Sequence, residues 1–344
     1  MDNLLMQRQK QFRSAGLVVF TMGVGLLVAR ILNNLLSLIS LGSIWLDVIF
    51  TSLVQIVFGF VVPFAIYKLT LKKSVKETLV FSNFRKPDWK VMLLCVPLTL
   101  ALMCATAIIS AVWRIFLVSF GFQLSSGGTP SGEFIWYIFL LDLFLSAVLP
   151  GFCEEFTDRG GLLTTLRGSF STTQTALLCG LIFGLSHQNV EQVFYTFCMG
   201  VFLAVLVMKT KSIFPAMLIH FLNNAISTYQ TYAVAYSLPF HELINGVYDL
   251  LVTNVALVAS VAGLIIGCGV LLFWLIISIC DKNDAKERAK IKAEREKNGE
   301  MVTEVSLPFE DKIVYRPVLR DWIFYIGGFV LMAITTFCTF LWRI

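Results

Sequence analysis

Long apolar runs dominate this sequence of 344 residues and restrict what it can fold into. A bilayer-spanning helix takes about 20 mostly apolar residues. Because unpaired backbone groups are costly in lipid, such runs form helices or a closed barrel, and these runs lack the period-two alternation of strands. The sequence therefore predicts an all-α polytopic transmembrane bundle of about 8–9 spans, at 15–32, 46–67, 91–118, 134–152, 172–188, 192–208, 213–232, 247–280 and 322–342.

The composition agrees with a membrane protein. Hydrophobic residues make up 57% of the chain and charged residues 14%, whereas soluble domains carry about 25% charged residues. The first run is expected to be a retained helix rather than a signal peptide. The eight cysteines lie almost entirely in apolar runs without a C-x-x-C pair, which favours buried thiols over a zinc ribbon or a disulfide framework. No signature of nucleic-acid binding is present.

Basic residues are distributed unevenly between the apolar runs. If the N-terminus is cytoplasmic, the segments 1–14, 68–90, 153–171, 209–212 and 281–321 all face the cytoplasm. They hold 24 of the 27 Lys and Arg residues. Cytoplasmic loops of membrane proteins carry such an excess of positive charge. The sequence therefore predicts a multi-pass protein of the cell membrane with a cytoplasmic N-terminus.

A cluster of charged residues ends the fourth run, in the stretch GFCEEFTDRGG. Pro150 and Gly151 are expected to interrupt or kink the helix there. If a helix resumes, Glu155 and Arg159 are four residues apart, so they lie on one face and can pair. Glu154 is rotated by about 100° from Glu155 and remains available. Ordinary charge at a helix end is the simpler interpretation of this cluster taken alone.

Two of the three histidines lie in apolar runs. His187 ends the fifth run, with Phe183 one turn before it. His220 and Asn224 share a face inside the seventh run, away from its ends, where polar side chains are costly unless they face protein or a cavity. The periodicity does not show whether Glu154 and His187 lie at the same depth in the membrane.

Weaker candidates accompany these motifs. Asp142 lies in the middle of the fourth run and is expected to line a cavity or bind a partner helix. Glu191 follows His187 by four residues, a spacing at which it could orient the imidazole. His241 falls in a predicted external loop and is expected to have no special role.

Three motifs in this order resemble the CPBP family, which includes CAAX prenyl endopeptidases and bacteriocin-processing or immunity (Abi) proteins. The motifs are E-E-x-x-x-R, F-x-x-x-H and H-x-x-x-N. They correspond to Glu154, Glu155 and Arg159, to Phe183 and His187, and to His220 and Asn224, and the resemblance covers about 150–225. The local contexts EEFTDRGGLL and LIFGLSH are similar to those of bacterial members.

The resemblance implies helices gathered around a conical cavity within the membrane, and the activity of an intramembrane endopeptidase. Carried over to this chain, Glu154 is the general base that activates water and His187 helps to position that water. His220 and Asn224 stabilise the oxyanion, and Glu155, Arg159 and Phe183 orient the site. A carboxylate in an apolar cavity is a plausible base near neutral pH.

The sequence does not decide whether these side chains bind a metal ion. Glu154, His187 and His220 could bind zinc, since two histidines and a glutamate occur in catalytic zinc sites. The H-E-x-x-H motif of zincins is absent, however, and a site without a cofactor is favoured.

Motifs and charge divide the chain into five regions. They are transmembrane helices at 1–133, a catalytic core at 134–232, an additional long transmembrane helix at 233–280, a charged cytoplasmic linker at 281–321 and a C-terminal transmembrane helix at 322–344.

Three function classes follow from these residues. The favoured class is a hydrolase that cuts a membrane-associated peptide or protein within the lipid bilayer, as in bacteriocin processing. The alternative keeps the fold without proteolysis, as a membrane scaffold or bacteriocin-immunity protein. A proton-coupled transporter is disfavoured because no repeat relates the two halves of the chain.

Overall fold

The computed structural model describes residues 2–38, 44–125, 130, 132–298 and 315–341, and these contain α-helices and no β-strand. The helices are α1 (Asp2–Leu38), α2 (Ile44–Ile56), α3 (Val62–Thr70), α4 (Val75–Phe81), α5 (Trp89–Ser119), α6 (Trp136–Leu143), α7 (Leu149–Glu155), α8 (Leu163–Arg167), α9 (Thr172–Ser186), α10 (Val190–Thr210), α11 (Phe214–Tyr236), α12 (His241–Thr253), α13 (Val255–Lys297) and α14 (Ile323–Leu341). The predicted all-α class is confirmed.

Seven helices in the described residues are long and apolar enough to cross a membrane. They lie at Leu4–Leu35, Val48–Thr70, Trp89–Ser119, Trp136–Arg167, Val190–Thr210, Val255–Lys297 and Ile323–Leu341. Two predicted spans do not qualify. Helix α9 has 15 residues, about 22 Å at 1.5 Å per residue, which is short for a bilayer core of about 30 Å. Helix α11 carries His220, Asn223 and Asn224, which lower its hydropathy.

Three π-helical turns lie between neighbouring helices, and the third is kinked at Gly160. They are Val57–Val61, Phe144–Val148 and Phe156–Leu162. The first two lie directly before Pro63 and Pro150, which occupy the first turns of α3 and α7. Proline lacks an N–H and clashes with the carbonyl four residues earlier, and a wider turn relieves both problems. The predicted interruption at Pro150 is therefore a π-helical turn inside a longer helix.

In the C-terminal half, the helices begin and end at other residues than the predicted regions do. The predicted long helix over 233–280 is instead divided, because Asn254 leaves helical geometry with φ −145° and ψ 68°. Its side chain accepts a hydrogen bond from the Leu257 amide at 3.1 Å and begins α13. Helix α13 then continues to Lys297, so the predicted linker 281–321 begins as helix. Parts of the predicted linker and C-terminal helix, 299–314 and 342–344, lie outside the described residues.

Glycines allow two helix pairs to approach closely. A Cβ atom on Gly200 of α10 would lie 2.8 Å from the Gly180 Cα atom of α9. A Cβ atom on Gly328 of α14 would lie 2.6 Å from the Val19 carbonyl oxygen of α1. Small residues give this close packing in membranes, where lipid tails remove the hydrophobic drive between helices. Helix α14 is therefore packed firmly against α1.

A buried carboxylate fixes the start of α14 on α1. Asp321 is fully buried and accepts hydrogen bonds from Arg13 Nε at 2.8 Å, from Gln9 Nε2 at 3.2 Å and from the Tyr315 hydroxyl. The Val318 amide also donates to it at 2.9 Å. Burial acts to raise the pKa of Asp321, but these hydrogen bonds outweigh it and hold the pKa below its ordinary value.

The Asp321→Asn substitution is expected to lower the free energy of unfolding at neutral pH by about 2 kcal/mol, because charged hydrogen bonds are lost. The folded pKa is depressed, so the ionised group stabilises the fold above its unfolded pKa, and this stabilisation disappears as pH falls through the folded pKa. The difference between wild type and variant should therefore shrink below about pH 4. Thermal unfolding in detergent across this range measures it, with exposed Asp249→Asn as control. A constant difference across the range would contradict the assignment.

Candidate active site

The chain breaks its helix immediately after the two glutamates. Helix α7 ends at Glu155, and Gly160 has a non-helical ψ of −118° inside the following π-helical turn. The Asn83 side-chain amide donates to the Arg159 carbonyl at 2.7 Å and also contacts the Gly160 carbonyl at 3.4 Å. Buried carbonyls need such partners. A Cβ atom on Gly161 would meet the Tyr67 ring at 2.3 Å, so this position requires glycine.

Glu155 is the centre of a buried charge cluster. Its Oε1 atom accepts from Arg159 Nη1 at 3.0 Å and lies 2.9 Å from His220 Nδ1. The Glu155 and Arg159 side chains are both completely buried. Two charges removed from water are tolerated when they pair. The contact with Glu155 places the donated hydrogen of a neutral His220 on Nδ1 and leaves Nε2 facing the other way.

An aromatic ring joins the cation to the two histidines. The Arg159 guanidinium carbon lies 4.1 Å from the centroid of the Phe183 ring. Edge contacts place the same ring 4.8 Å from the His187 ring and 5.6 Å from the His220 ring, between centroids. Cations are attracted to ring faces. Phe183 therefore contacts all three groups and restricts their orientation.

Glu154 has a different environment from its neighbour. Its side chain is 26% exposed, and its Oε2 atom lies 3.9 Å from His220 Nε2. Its Oε1 atom accepts a hydrogen bond from Gln55 Nε2 at 3.3 Å. The side chain lines a cavity of about 80 Å³ together with Asp158 and Ser186. This cavity has room for more than one water molecule beside the carboxylate.

His187 ends α9 with its ring held by its own helix. Its Nδ1 atom lies 2.7 Å from the Phe183 carbonyl oxygen, so Nδ1 donates and Nε2 is left as the acceptor of the neutral ring. The next residue, Gln188, has φ of +47°, a left-handed conformation that costs energy for a residue with a Cβ. Gln188 Nε2 donates to Thr335 Oγ1 at 2.8 Å, and Arg30 Nη1 donates to the Gln188 carbonyl at 3.3 Å.

Asn224 lies one turn beyond His220 on α11. Its Nδ2 atom donates to the Ser146 carbonyl at 2.8 Å, and its Oδ1 atom accepts from Asn223 at 3.0 Å. Ser146 belongs to the π-helical turn before Pro150, so that turn and α11 are fixed to each other. The structure thus brings Glu154, Glu155, Arg159 and Phe183 together with both histidines, whereas Asn224 is held at the neighbouring turn.

Residues 134–226 match the sequence model of the family described as type II CAAX prenyl endopeptidase Rce1-like. The match includes all seven residues of the three motifs. Residues 134–226 form an Rce1-like domain. No curated protein and no solved structure matches the chain. With seven apolar helices, the protein is a multi-pass membrane protein with a domain of a protease family.

Several residues that contact the site lie outside the Rce1-like domain. Gln55 binds Glu154, Asn83 binds the helix break, and Arg30 and Thr335 hold Gln188. Sequence reasoning missed them because each stands singly in an apolar or polar segment without a motif. It also missed Asp158, a buried residue inside the domain whose Oδ2 atom lies 3.9 Å from Arg159 Nη1.

Two weaker candidates have other partners. Glu191 begins α10 after a break in the helix, and it accepts from the Ser125 amide at 2.8 Å and pairs with Arg114 at 3.6 Å. The four-residue spacing from His187 therefore does not correspond to one helix face, and the proposed orienting role of Glu191 is not supported. Asp142 accepts from the Tyr232 hydroxyl of α11, so it binds a partner helix. His241 Nδ1 contacts the Leu238 carbonyl.

Zinc would need at least three of the donor groups of the Rce1-like domain to lie close together. Within the part of the chain that the structure describes, no three His, Cys, Asp or Glu side chains gather closely enough to hold a metal ion. His220 Nδ1 is turned to Glu155 and His187 Nδ1 to a backbone carbonyl, which leaves both Nε2 atoms free, as in histidines that bind zinc. The spacing of Glu154, His187 and His220, rather than the direction of the imidazole rings, is what fails to match the zinc set.

Thr335→Val is expected to lower kcat about tenfold with little change in KM, because the released Gln188 side chain no longer fixes the backbone beside His187. The lost hydrogen bond should reduce the free energy of unfolding by only about 1 kcal/mol. Thr336→Val is the matched control, since this adjacent buried hydroxyl donates only to the Met332 carbonyl at 2.8 Å. Equal kcat values for the two variants would exclude a positioning role for Thr335.

Proposed function

We propose that the protein is an intramembrane endopeptidase in which Glu154 activates water for attack on a peptide bond. The observation that carries this proposal is the different environment of the two adjacent glutamates. Glu155 is completely buried and bound by Arg159 and His220, whereas Glu154 is partly exposed and faces a cavity. A base must lie within reach of its water. The Oε2 atoms of both glutamates are buried and have no hydrogen-bond partner in the described residues, but only the Glu154 side chain lines the cavity.

The reaction follows general acid–base chemistry. A water in the cavity gives its proton to Glu154 as its oxygen attacks the peptide carbonyl carbon. The carbonyl oxygen becomes the oxyanion of a tetrahedral intermediate. Glu154 then returns the proton to the leaving nitrogen as the C–N bond breaks. His187, whose Nε2 atom is the acceptor of its neutral ring, helps to position the water.

Oxyanion stabilisation is assigned to His220 and Asn224. Preorganised donors aimed at a developing oxyanion are typically worth about 2.7–4 kcal/mol each. His220 is held rigidly by Glu155, which also favours a protonated imidazole when negative charge develops nearby. Asn224 uses one amide hydrogen for the Ser146 carbonyl and keeps a second. Glu155, Arg159 and Phe183 orient the site without contacting the substrate.

The substrate class follows from the location of the site. Membrane-associated peptides or proteins reach a cavity among spanning helices. The distribution of Lys and Arg supports a cytoplasmic N-terminus, and the family resemblance implies that the cavity opens toward the cytoplasm. The alternative is a scaffold or immunity protein with the same Rce1-like domain. In that alternative the partly exposed Glu154 would bind a partner rather than water.

Cleavage of a membrane-anchored peptide library in liposomes, read by mass spectrometry, tests the proposal. Wild-type protein should release defined products at an unchanged rate when a strong chelator is present. The Glu154→Gln protein is the matched preparation, because a contaminating protease would act in both. Loss of products on chelation would contradict the metal-free mechanism. An intact library with folded wild-type protein and a range of anchored sequences would favour the scaffold.

A further inference from the structure

A second cavity lies at one end of the helical bundle, away from the candidate active site. It has a volume of about 580 Å³, within the range of about 300–1,000 Å³ typical of small-molecule sites. Among the described residues, four basic side chains, Arg8, Lys73, Lys76 and Arg85, line it together with one carboxylate, Glu77. The cavity is therefore a strongly positive site, and neither the motifs nor the proposed chemistry uses it.

Glu77, the carboxylate that the described residues contribute to this cavity, is already hydrogen-bonded. Glu77 Oε2 accepts from the Ser74 amide at 2.8 Å and from the Ser74 hydroxyl at 2.7 Å, in the capping box that begins α4. These hydrogen bonds, from the hydroxyl first and then the amide, lower the pKa of Glu77. Within the described ranges of the chain, Arg8, Lys73 and Lys76 form no ion pair with Glu77 or any other carboxylate. Glu77 interacts electrostatically with Lys73 as well, but one carboxylate does not balance four cations, so the described wall of the cavity keeps a net positive charge.

Arg85 adds a partly buried charge to the cavity. Burial, followed by repulsion from Arg167, lowers the pKa of Arg85 to about 10, while the carboxylate of Glu287 opposes this change. Arg85 remains protonated at neutral pH, but its charged form is destabilised. A bound anion would reverse this effect, because opposite charges favour the ionised form.

The cavity lies at the height where spanning helices end. Arg8 is near the start of α1, and Lys73, Lys76 and Arg85 lie in the segment between the spans Val48–Thr70 and Trp89–Ser119. Apolar side chains complete its wall, with Leu4 50% exposed and Val80 39% exposed. Trp89, which begins α5 close by in sequence, is 65% exposed, as tryptophans at a membrane interface are.

A ligand for this cavity must combine a negative charge with an apolar portion. A soluble phosphate would use the cations and leave Leu4 and Val80 in water. An anionic phospholipid at the membrane surface satisfies both parts of the wall, with its phosphate beside the arginines and lysines and its acyl chains along the apolar residues. Basic clusters next to spanning helices attract such lipids at about 1 kcal/mol per charge.

We propose that the cavity bounded by Arg8, Lys73, Lys76 and Arg85 is a binding site for the phosphate headgroup of an anionic phospholipid. Thr164, which also lines the cavity, accepts a hydrogen bond at 3.0 Å from the same Asn83 amide that holds the Arg159 carbonyl. The lipid site therefore borders the helix break behind Glu155 without sharing a residue with the three motifs.

Titration of the full-length protein in detergent with fluorescent phosphatidylglycerol tests this site. Phosphatidylcholine with the same label is the reference lipid. The Lys73→Gln/Lys76→Gln protein is expected to bind phosphatidylglycerol about tenfold or more weakly than wild type, with phosphatidylcholine binding unchanged. The Lys286→Gln/Lys290→Gln protein is the matched control, since it loses the same charge from exposed positions of α13. It should change binding less than about twofold.

Three results would overturn the proposal. The first is equal binding of the two lipids by wild type. The second is an equal loss of affinity in both double variants, which would indicate attraction to surface charge in general. The third is displacement of the labelled lipid by inorganic phosphate alone, which would indicate a soluble anion as the occupant. Arg85→Gln extends the test to the buried cation, and the lysine variants decide the outcome even if that protein does not fold.

Discussion

Glu154→Gln is expected to reduce peptide cleavage by a factor of about 100 to 10,000, the range that general acid–base catalysis contributes. Glutamine has nearly the same shape and can still accept the hydrogen bond from Gln55, so the fold should be retained. It cannot take a proton from water. Initial rates with the membrane-anchored substrate, together with thermal unfolding in the same detergent, measure both parts of this prediction.

The control substitution also replaces a glutamate by glutamine, but at a position outside the candidate site. Glu242→Gln, at an exposed position of α12, should leave the rate within about twofold of wild type, because exposed charges distant from a site are screened by salt. A Glu154→Gln protein that cleaves at the wild-type rate would exclude Glu154 as the base. Asp158, whose carboxylate also lines the cavity, would then be the next candidate for the general base.

Arg159→Ala is expected to lower the free energy of unfolding by about 3–5 kcal/mol, the typical cost of removing one member of a buried ion pair. Glu155 is completely buried, and the substitution removes its hydrogen bond of 3.0 Å from Arg159. It also removes the contact of the guanidinium with Phe183 and the 3.4 Å hydrogen bond to the Gly200 carbonyl. The midpoint of denaturant-induced unfolding in detergent measures the loss.

Lys292→Ala provides a control with the same spacing in sequence. Lys292 and Glu296 also pair across one helical turn, at 3.7 Å, but both side chains are more than half exposed. An exposed pair of this kind contributes at most about 0.5 kcal/mol. Similar midpoints for Lys292→Ala and Arg159→Ala would show that the buried pair does not stabilise the fold.

A double variant separates stability from chemistry. Glu155→Gln/Arg159→Met removes both charges, and neutral replacement of a buried pair is often tolerated. We expect it to recover much of the stability lost in Arg159→Ala. Cleavage should not recover, because His220 loses the carboxylate that fixes its Nδ1 atom. Recovery of both would indicate that the pair serves stability alone.

The candidate site was largely present in the sequence as isolated motifs. The four-residue spacing of Glu155 and Arg159 predicted that they share a helix face, and they form an ion pair. The spacing could not show that His220 approaches the same carboxylate from α11. Nor could it show that Glu191 begins a new helix after His187. Periodicity describes the faces of one helix, whereas these contacts depend on how separate helices are packed.

The sequence by itself determined the all-α class, because its apolar runs must satisfy their backbone hydrogen bonds within helices. It also indicated the candidate site residues, since few ionisable side chains occur in those runs. Only the tertiary structure decided that Glu154 faces a cavity while Glu155 is buried, and that Gln55, Asn83 and Thr335 support the site. The physical reason is that rotation and depth of a helix are set by close packing, through glycines such as Gly200 and Gly328 and through π-helical turns before prolines.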